Sequence, residues 1–123
     1  MGYIAHHAII VTGNDYKRSD ILKAHAHAQE NTMNPTEIMR SPINGYLTFF
    51  IPPDGSKEGW EDSLNGDTRR NEFKRFMVEQ ECKGFGLDWV EVRYPGDDES
   101  AYIVDEQSNR TSDDALSKWE VKT

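Results

Sequence analysis

The sequence predicts an α+β fold, and three observations support this. Segments with strand and helix patterns follow each other as strand, helix, hairpin, helix, hairpin within residues 1–106 of the 123-residue chain. Two of the predicted strands, residues 3–11 and 46–51, are apolar on both faces of the pleat, which is typical of central strands. A chain of this length supports one domain with a modest core. We therefore expect one α+β domain over residues 1–106 and a polar tail or short docked helix over residues 107–123.

The first half of the chain predicts a strand, a helix and a hairpin. Gly13 follows the first strand, and Ser19 or Asp20 can N-cap a helix that runs to residue 32. The dipeptide Asn44-Gly45 supplies the two positive φ angles of a type I′ turn, which predicts a hairpin with arms at residues 37–43 and 46–51.

The second half begins with a long connection and ends in another hairpin. Residues 52–66 contain several turn signals, and Asp67 can cap a second helix whose apolar stripe includes Phe73 and Met77. Strands are predicted at residues 87–94 and 101–106, on either side of a loose acidic turn.

The βαββαβ order with an extra C-terminal strand predicts a ferredoxin-like arrangement. In that arrangement the sheet is antiparallel, the first and third strands lie in the middle, and two helices cover one face. The other face is then partly open. We expect Trp89, Glu91 and Arg93 of the fourth strand to point away from the helices, so that Trp89 is exposed. We also expect a homodimer through the open face.

Charge is unevenly distributed along the chain. The net charge is −8, and residues 88–123 hold 10 acidic and 4 basic side chains, a net of −6. A concentrated acidic segment can dock on a basic groove of a partner, and a solvated acidic tail is the alternative interpretation. No apolar run approaches the roughly 20 residues that span a bilayer, so we expect no membrane partner.

Compartment and catalytic chemistry are predicted mainly from missing motifs. Cys82 is the single cysteine, and no signal-peptide pattern precedes it, which favours a reducing cytoplasm. His6 and His7 point to opposite sides of a strand, and His25 and His27 diverge on a helix, so we expect no metal site. No motif for a nucleophile or for acid–base catalysis occurs. We therefore expect neither enzymatic activity nor a cofactor.

A group of basic and aromatic residues offers a candidate site for an anion or a nucleotide. Positive charge at the start of the second helix, together with a lysine and a tryptophan on the preceding loop, can bind a phosphate and stack a base. Pairing of these cations with Glu72 and Glu79 is the alternative. The candidate ligand-binding residues are Lys57, Trp60, Arg69, Arg70 and Lys74.

The stretch of residues 41–60, SPINGYLTFFIPPDGSKEGW, continuing into DTRR at residues 67–70, resembles uncharacterised small proteins encoded by bacteriophages. The resemblance implies a host-takeover or counter-defence factor in the bacterial cytoplasm. The leading hypothesis is a non-enzymatic protein that inhibits a host defence or nucleic-acid-handling protein through an acidic surface. The alternative is sequestration of a nucleotide second messenger by the lysine, tryptophan and arginine pocket. The candidate partner-binding residues are Trp89, Asp97, Asp98, Glu99, Asp105 and Glu106.

Overall fold

Five strands and two α-helices occur in a computed structural model of the chain, which describes residues 4–81, 86–96 and 100–106. In chain order they are β1 (Ala5–Gly13), α1 (Arg18–Glu30), β2 (Met39–Arg40), β3 (Leu47–Ile51), α2 (Glu61–Glu81), β4 (Leu87–Pro95) and β5 (Tyr102–Glu106). The prediction of an α+β fold with an antiparallel five-stranded sheet and two helices is confirmed. Neither described helix is both long enough and apolar enough to cross a membrane.

Some sequence predictions fall on other parts of the chain. Cys82, the acidic turn with Asp97, Asp98 and Glu99, and the tail at residues 107–123 all lie outside the described residues.

The strands form one sheet in the order β2-β3-β1-β4-β5, and every neighbouring pair is antiparallel. Val11 of β1 lies opposite Phe49 of β3 on one side and Trp89 of β4 on the other. Both β1 and β3 therefore have a hydrogen-bonded neighbour on each side, as expected for the two most apolar strands of the chain.

The hydrophobic core lies between the sheet and the two helices. Odd-numbered side chains of β1, β3 and β4 face this core, and Phe49 and Phe73 are its largest fully buried members. Both helices contribute to the same cluster, which includes Ile21 from α1 and Met77 from α2. Each such side chain contributes roughly 1.5–3 kcal/mol on burial, so this layer is the main apolar contribution to stability.

The predicted orientation of β4 is wrong. Trp89 is only 7% exposed and belongs to the core, and Glu91 is buried on the same face. Both residues alternate with Val90, which lies on the open side opposite Ile10. The sequence pattern misleads because the core-facing side of β4 includes the charged residues Glu91 and Arg93, whereas its opposite side includes Val90 and Val92.

The second helix begins seven residues earlier than predicted. Leu64 N–H donates to the Trp60 carbonyl at 3.0 Å, and α2 starts at Glu61 rather than after Asp67. Glu61 and Asp62 lie in its first turn, where acidic side chains interact favourably with the helix dipole. Asn65-Gly66, which resembles a turn in the sequence, is therefore inside the helix.

The hairpin between β2 and β3 has the predicted backbone angles but a longer loop. Asn44 and Gly45 have φ of 64° and 63°, as a type I′ turn requires. However, Ser41 N–H donates to the Tyr46 carbonyl at 2.7 Å, which leaves four residues in the loop instead of two. Pro42 has no N–H to donate, and the first arm is accordingly only Met39–Arg40.

Helix α1 ends in a Schellman motif without glycine. Met33 N–H donates to the Ala28 carbonyl at 3.0 Å, and Thr32 N–H donates to the Gln29 carbonyl at 3.1 Å. Thr32 occupies the position where glycine is preferred and has φ of 57°, an unfavourable conformation for a β-branched residue. Buried Met33 packs in the core together with Ala28 and fixes this strained end in place.

Replacing Thr32→Gly is expected to raise the free energy of unfolding by about 1 kcal/mol. Relief of left-handed strain, roughly 1–3 kcal/mol, exceeds the added chain entropy of glycine, roughly 0.5–1 kcal/mol. The control Lys23→Gly, at an exposed position inside α1, is expected to lower it by roughly 0.5–1 kcal/mol. Denaturant unfolding of both variants measures this, and a loss of stability in Thr32→Gly would contradict the strain argument.

Candidate functional site

Charged side chains are concentrated on the core-facing side of β1 and β4, next to helix α2. His7 lies opposite Arg93, and Ile9 lies opposite Glu91, so the histidine and the glutamate are diagonal neighbours across two strands. Arg70 and Lys74 are four residues apart on α2 and share one helix face. We call this group the ion cluster; it consists of His7, Glu58, Arg70, Lys74, Glu91, Arg93 and Asp105.

Glu91 is the central anion of the ion cluster. It is 3% exposed, and its two carboxylate oxygens face different partners. Lys74 donates to one oxygen, while His7 Nδ1 lies 3.3 Å and Arg70 Nε 3.6 Å from the other. A buried carboxylate is stable only when cations and hydrogen bonds replace its hydration, and here α2 and β1 supply them.

Glu58 attaches the segment between β3 and α2 to the same cluster. Its carboxylate accepts hydrogen bonds from His7 Nε2 at 3.0 Å, from Arg93 at 3.2 Å and from the Ser63 hydroxyl at 2.8 Å. The segment reaches this place because it stays beside β1 after β3 ends, where Lys57 forms a bridge with Ile4.

Lys74 also connects β5 to the cluster. Asp105 lies opposite Glu91 across β4 and β5, which places two carboxylates side by side. Like charges in this position are destabilising. Lys74 Nζ lies 3.6 Å from Asp105 and also donates to Glu91, so one buried ammonium compensates both.

The pKa directions agree with this geometry. Hydrogen bonding to Glu91 raises the pKa of His7 above 6.5, and this outweighs the opposing effect of burial. Burial raises the pKa of Glu91 and Glu58, but hydrogen bonds from His7, together with Lys74 or Ser63, bring the net pKa of each below 4.5. Both ring nitrogens of His7 face carboxylates, which matches a protonated imidazolium with two N–H donors.

A cleft of about 280 Å³ adjoins the ion cluster. Its walls are the chain after α1, the chain after β3 and the middle of α2, and Arg70 belongs to both the cleft and the cluster. Arg70 pairs with Asp67 on its own helix and lies 3.8 Å from Asp54 across the cleft. The guanidinium is therefore held in position by carboxylates on several sides.

Among the residues that the structure describes, neither α-helix covers the opposite side of the sheet, and this side is largely apolar. Even-numbered side chains of β1 and β4 point there, and so do their neighbours on β2, β3 and β5. Ile10 is 40% exposed, and Ile103, at the β5 edge, is 57% exposed. We call this surface the open face; its exposed apolar side chains are Ile10, Met39, Phe50, Tyr94 and Ile103.

The structure separates the five residues predicted to bind an anion. Lys57 and Trp60 are exposed and form a pair, with Nζ 5.0 Å from the ring centre. Arg70 and Lys74 are buried and paired with carboxylates of the ion cluster. Arg69 is exposed on the cleft wall. Only Arg69 therefore combines an accessible guanidinium with a concave surface among these five.

The predicted acidic partner-binding set is also divided. Trp89 lies in the core, and Asp105 is buried beside Lys74, so neither is available as a surface contact. Glu106 is exposed on the last strand, next to Val90 of the open face. Asp97, Asp98 and Glu99 lie outside the described residues.

The four histidines occupy four different environments. His25 Nε2 donates to the Thr36 carbonyl at 2.8 Å, His27 stacks on Phe76, and His6 lies beside Tyr94. Within residues 4–81, 86–96 and 100–106, no group of three or more potential ligands is placed to hold a metal ion.

The sequence reasoning missed His7, Glu58 and Glu91. His7 and Glu91 could be identified from the sequence because they have opposite charges at core-facing strand positions. His7 shares its pleat face with Ile9 and Val11, and Glu91 shares its face with Trp89. Charged residues are rarely buried unless paired, so the sequence pattern of β4 predicts that Glu91 and Arg93 point away from the core.

Comparisons with known proteins do not add to this description. No known protein family, no curated protein and no solved structure matches the chain. Functional inference therefore depends on the geometry of the ion cluster, the cleft and the open face.

The ion cluster makes a testable contribution to the pH dependence of stability. Because folding raises the pKa of His7, its stabilising contribution is complete below pH 6.5 and is lost as the pH rises through the folded-state value. The difference in unfolding free energy between the wild type and His7→Gln should therefore shrink from mildly acidic to alkaline pH. Urea unfolding at a series of pH values measures it; a difference that grows with pH would contradict the assignment.

His27 is the matched control because its pKa shifts in the opposite direction. Burial lowers the pKa of His27, so protonation costs folding free energy as the pH falls below 6.5. His27→Gln should accordingly flatten the acid side of the wild-type profile while leaving the alkaline side unchanged.

Proposed function

We propose that this protein acts by binding a partner protein through the open face of its sheet, and not by catalytic turnover. The observation that supports this most directly is the group of exposed apolar side chains on the open face, which includes Ile10, Phe50 and Ile103. Large exposed apolar patches are uncommon on soluble monomers and are typical of interaction surfaces.

The size of the open face is suitable for a specific interface. The 30 residues of the five strands, each covering about 4.8 Å by about 3.3 Å, give a face of roughly 480 Å². A standard protein–protein interface buries roughly 800 Å² on each partner. The open face could therefore form more than half of such an interface.

Charge at the margin of the open face favours a partner with basic side chains. Asp88 lies opposite Thr12 at one end of the face, and Glu106 lies opposite Val90 at the β5 edge. Both are exposed, and the whole chain has a net charge of −8. A partner with an apolar patch bordered by lysine and arginine is complementary in both respects, and its association should be accelerated at low salt.

The environment of His7 supports binding over turnover. A general base needs a ring nitrogen within reach of a substrate proton. Here one nitrogen of His7 faces Glu58 and the other faces Glu91. Both ring nitrogens of His7 therefore contact carboxylates of the same chain instead of facing a substrate. The bacteriophage origin and the host target implied by the resemblance stay predictions. The homodimer through the open face is the competing prediction, because a second copy of the chain would occupy the surface proposed for the partner.

We also propose that the fold is ferredoxin-like with an added edge strand. The order β2-β3-β1-β4-β5 and the packing of both helices in one core support it. In that arrangement the face opposite the helices is free to bind, which is consistent with the role proposed for the open face.

The proposal is tested by capture experiments on open-face variants. Wild-type protein is immobilised and exposed to bacterial lysate, and retained proteins are identified and then purified for titration. Phe50→Lys and Ile103→Lys should each weaken binding by roughly 30-fold or more, as for hot-spot residues worth about 2 kcal/mol. Leu64→Lys, at an exposed leucine on α2, is the matched control and should bind normally.

Two results would contradict the proposal. One is a retained protein whose binding is equally strong with Phe50→Lys and Ile103→Lys. The other is purified protein that sediments by itself as a dimer and becomes monomeric in Ile103→Lys, because the open face would then be occupied by a second copy of the chain.

A further inference from the structure

The cleft beside the ion cluster has features that the proposed binding surface does not explain. It lies on the helix-covered side of the sheet, away from the open face, and is bordered by Thr32, Asn34, Pro53 and Arg69. At about 280 Å³ it is close to the lower limit of roughly 300 Å³ for pockets that hold small organic ligands.

The backbone of one cleft wall is strained at Thr32. Thr32 and Asn34 both line the cleft and have φ of 57° and 56°. Asparagine tolerates this left-handed region, whereas it is unfavourable for a β-branched residue such as Thr32. Strained backbone of this kind is concentrated at ligand sites in proteins. Thr32 therefore both closes the Schellman motif of α1 and shapes this wall of the cleft.

Gly66 opens the wall on the opposite side. Glycine inside a helix is unfavourable relative to alanine, yet Gly66 lies within α2. A Cβ atom at this position would lie 2.4 Å from Asp54 Oδ2 and 3.2 Å from an Arg70 nitrogen. The missing side chain therefore leaves room beside the helix for the Asp54 carboxylate and the Arg70 guanidinium, which shape the floor of the cleft.

The charges in the cleft leave one cation available. Asp54 accepts hydrogen bonds from the Ser56 backbone at 2.9 Å and from its hydroxyl at 2.6 Å, and its second oxygen faces Arg70. Arg70 is itself compensated by the ion cluster and by Asp67. Arg69 is exposed on the wall and has no ion-pair partner among the residues that the structure describes.

Part of the remaining lining is apolar. Pro52 and Pro53 are half-buried and form an apolar surface within the cleft, beside buried Met33 and Ile51. Ligand pockets typically combine such a surface with a few polar groups that fix orientation. An arginine is especially suited to planar carboxylates and phosphates, which it binds in a bidentate manner.

We infer that the cleft is a binding site for a small organic anion, a phosphate monoester or a carboxylate with an apolar or aromatic body. Arg69 holds the anionic group, and the surface formed by Pro52 and Pro53 contacts the body. The site is distinct from the open face, so the inference is independent of the proposed partner binding.

The test measures melting temperature with three probes: AMP, benzoate and inorganic phosphate, each at millimolar concentration and constant ionic strength. We expect AMP or benzoate to raise the melting temperature by several degrees, because a ligand that binds only the folded state stabilises it. A shift with AMP alone assigns a phosphate monoester, and one with benzoate alone assigns a carboxylate. Inorganic phosphate has no apolar body and should produce a smaller shift.

The matched variants are Arg69→Ala and Arg75→Ala. Arg75 is another arginine of α2, where it pairs with Glu79 at 3.8 Å, away from the cleft. Calorimetric affinity for the effective probe should fall by roughly tenfold or more in Arg69→Ala and stay unchanged in Arg75→Ala. No shift with any probe, equal shifts with inorganic phosphate and the organic probes, or full binding by Arg69→Ala would overturn the inference.

Discussion

The arrangement of this protein depends on the compensation of one buried carboxylate, Glu91. Removing a carboxylate from water costs several kcal/mol, and the chain offsets this with Lys74 and Arg70 from α2 and with His7 from β1. Unlike the apolar contacts of the core, these hydrogen bonds and ion pairs form only at particular positions of donor and acceptor. They therefore fix how α2 is rotated and shifted over the sheet, and not merely that it packs there.

The other features of the molecule follow from this arrangement. The cation Lys74 also compensates Asp105 and so ties in β5, and His7 extends the network to Glu58 between β3 and α2. Arg70 continues it into the cleft. The charges of the ion cluster lie on the helix side of β4, whereas Val90, Val92 and Tyr94 lie on its opposite side and contribute to the open face on which the proposed function depends.

Much of the fold could be predicted from the sequence, whereas the candidate site could not. Strands apolar on both faces and the Asn44-Gly45 dipeptide gave reliable signals because they reflect local backbone and burial preferences. The orientation of β4 was predicted wrongly because Glu91 is buried only through partners distant in sequence. Gly66 similarly resembles a turn, since nothing nearby in the sequence shows that Asp54 occupies the space of its missing side chain.

The central claim is tested most directly by replacing the cation between Glu91 and Asp105. Lys74→Met keeps the length and apolar stem of the side chain but leaves two buried carboxylates without their ammonium, which should lower the free energy of unfolding by about 3–5 kcal/mol. Arg75→Met, in an exposed pair on the same helix, should change it by about 0.5 kcal/mol or less. Chemical unfolding of both variants at neutral pH measures this. Equal, small losses in the two variants would show that the ion cluster does not determine the structure.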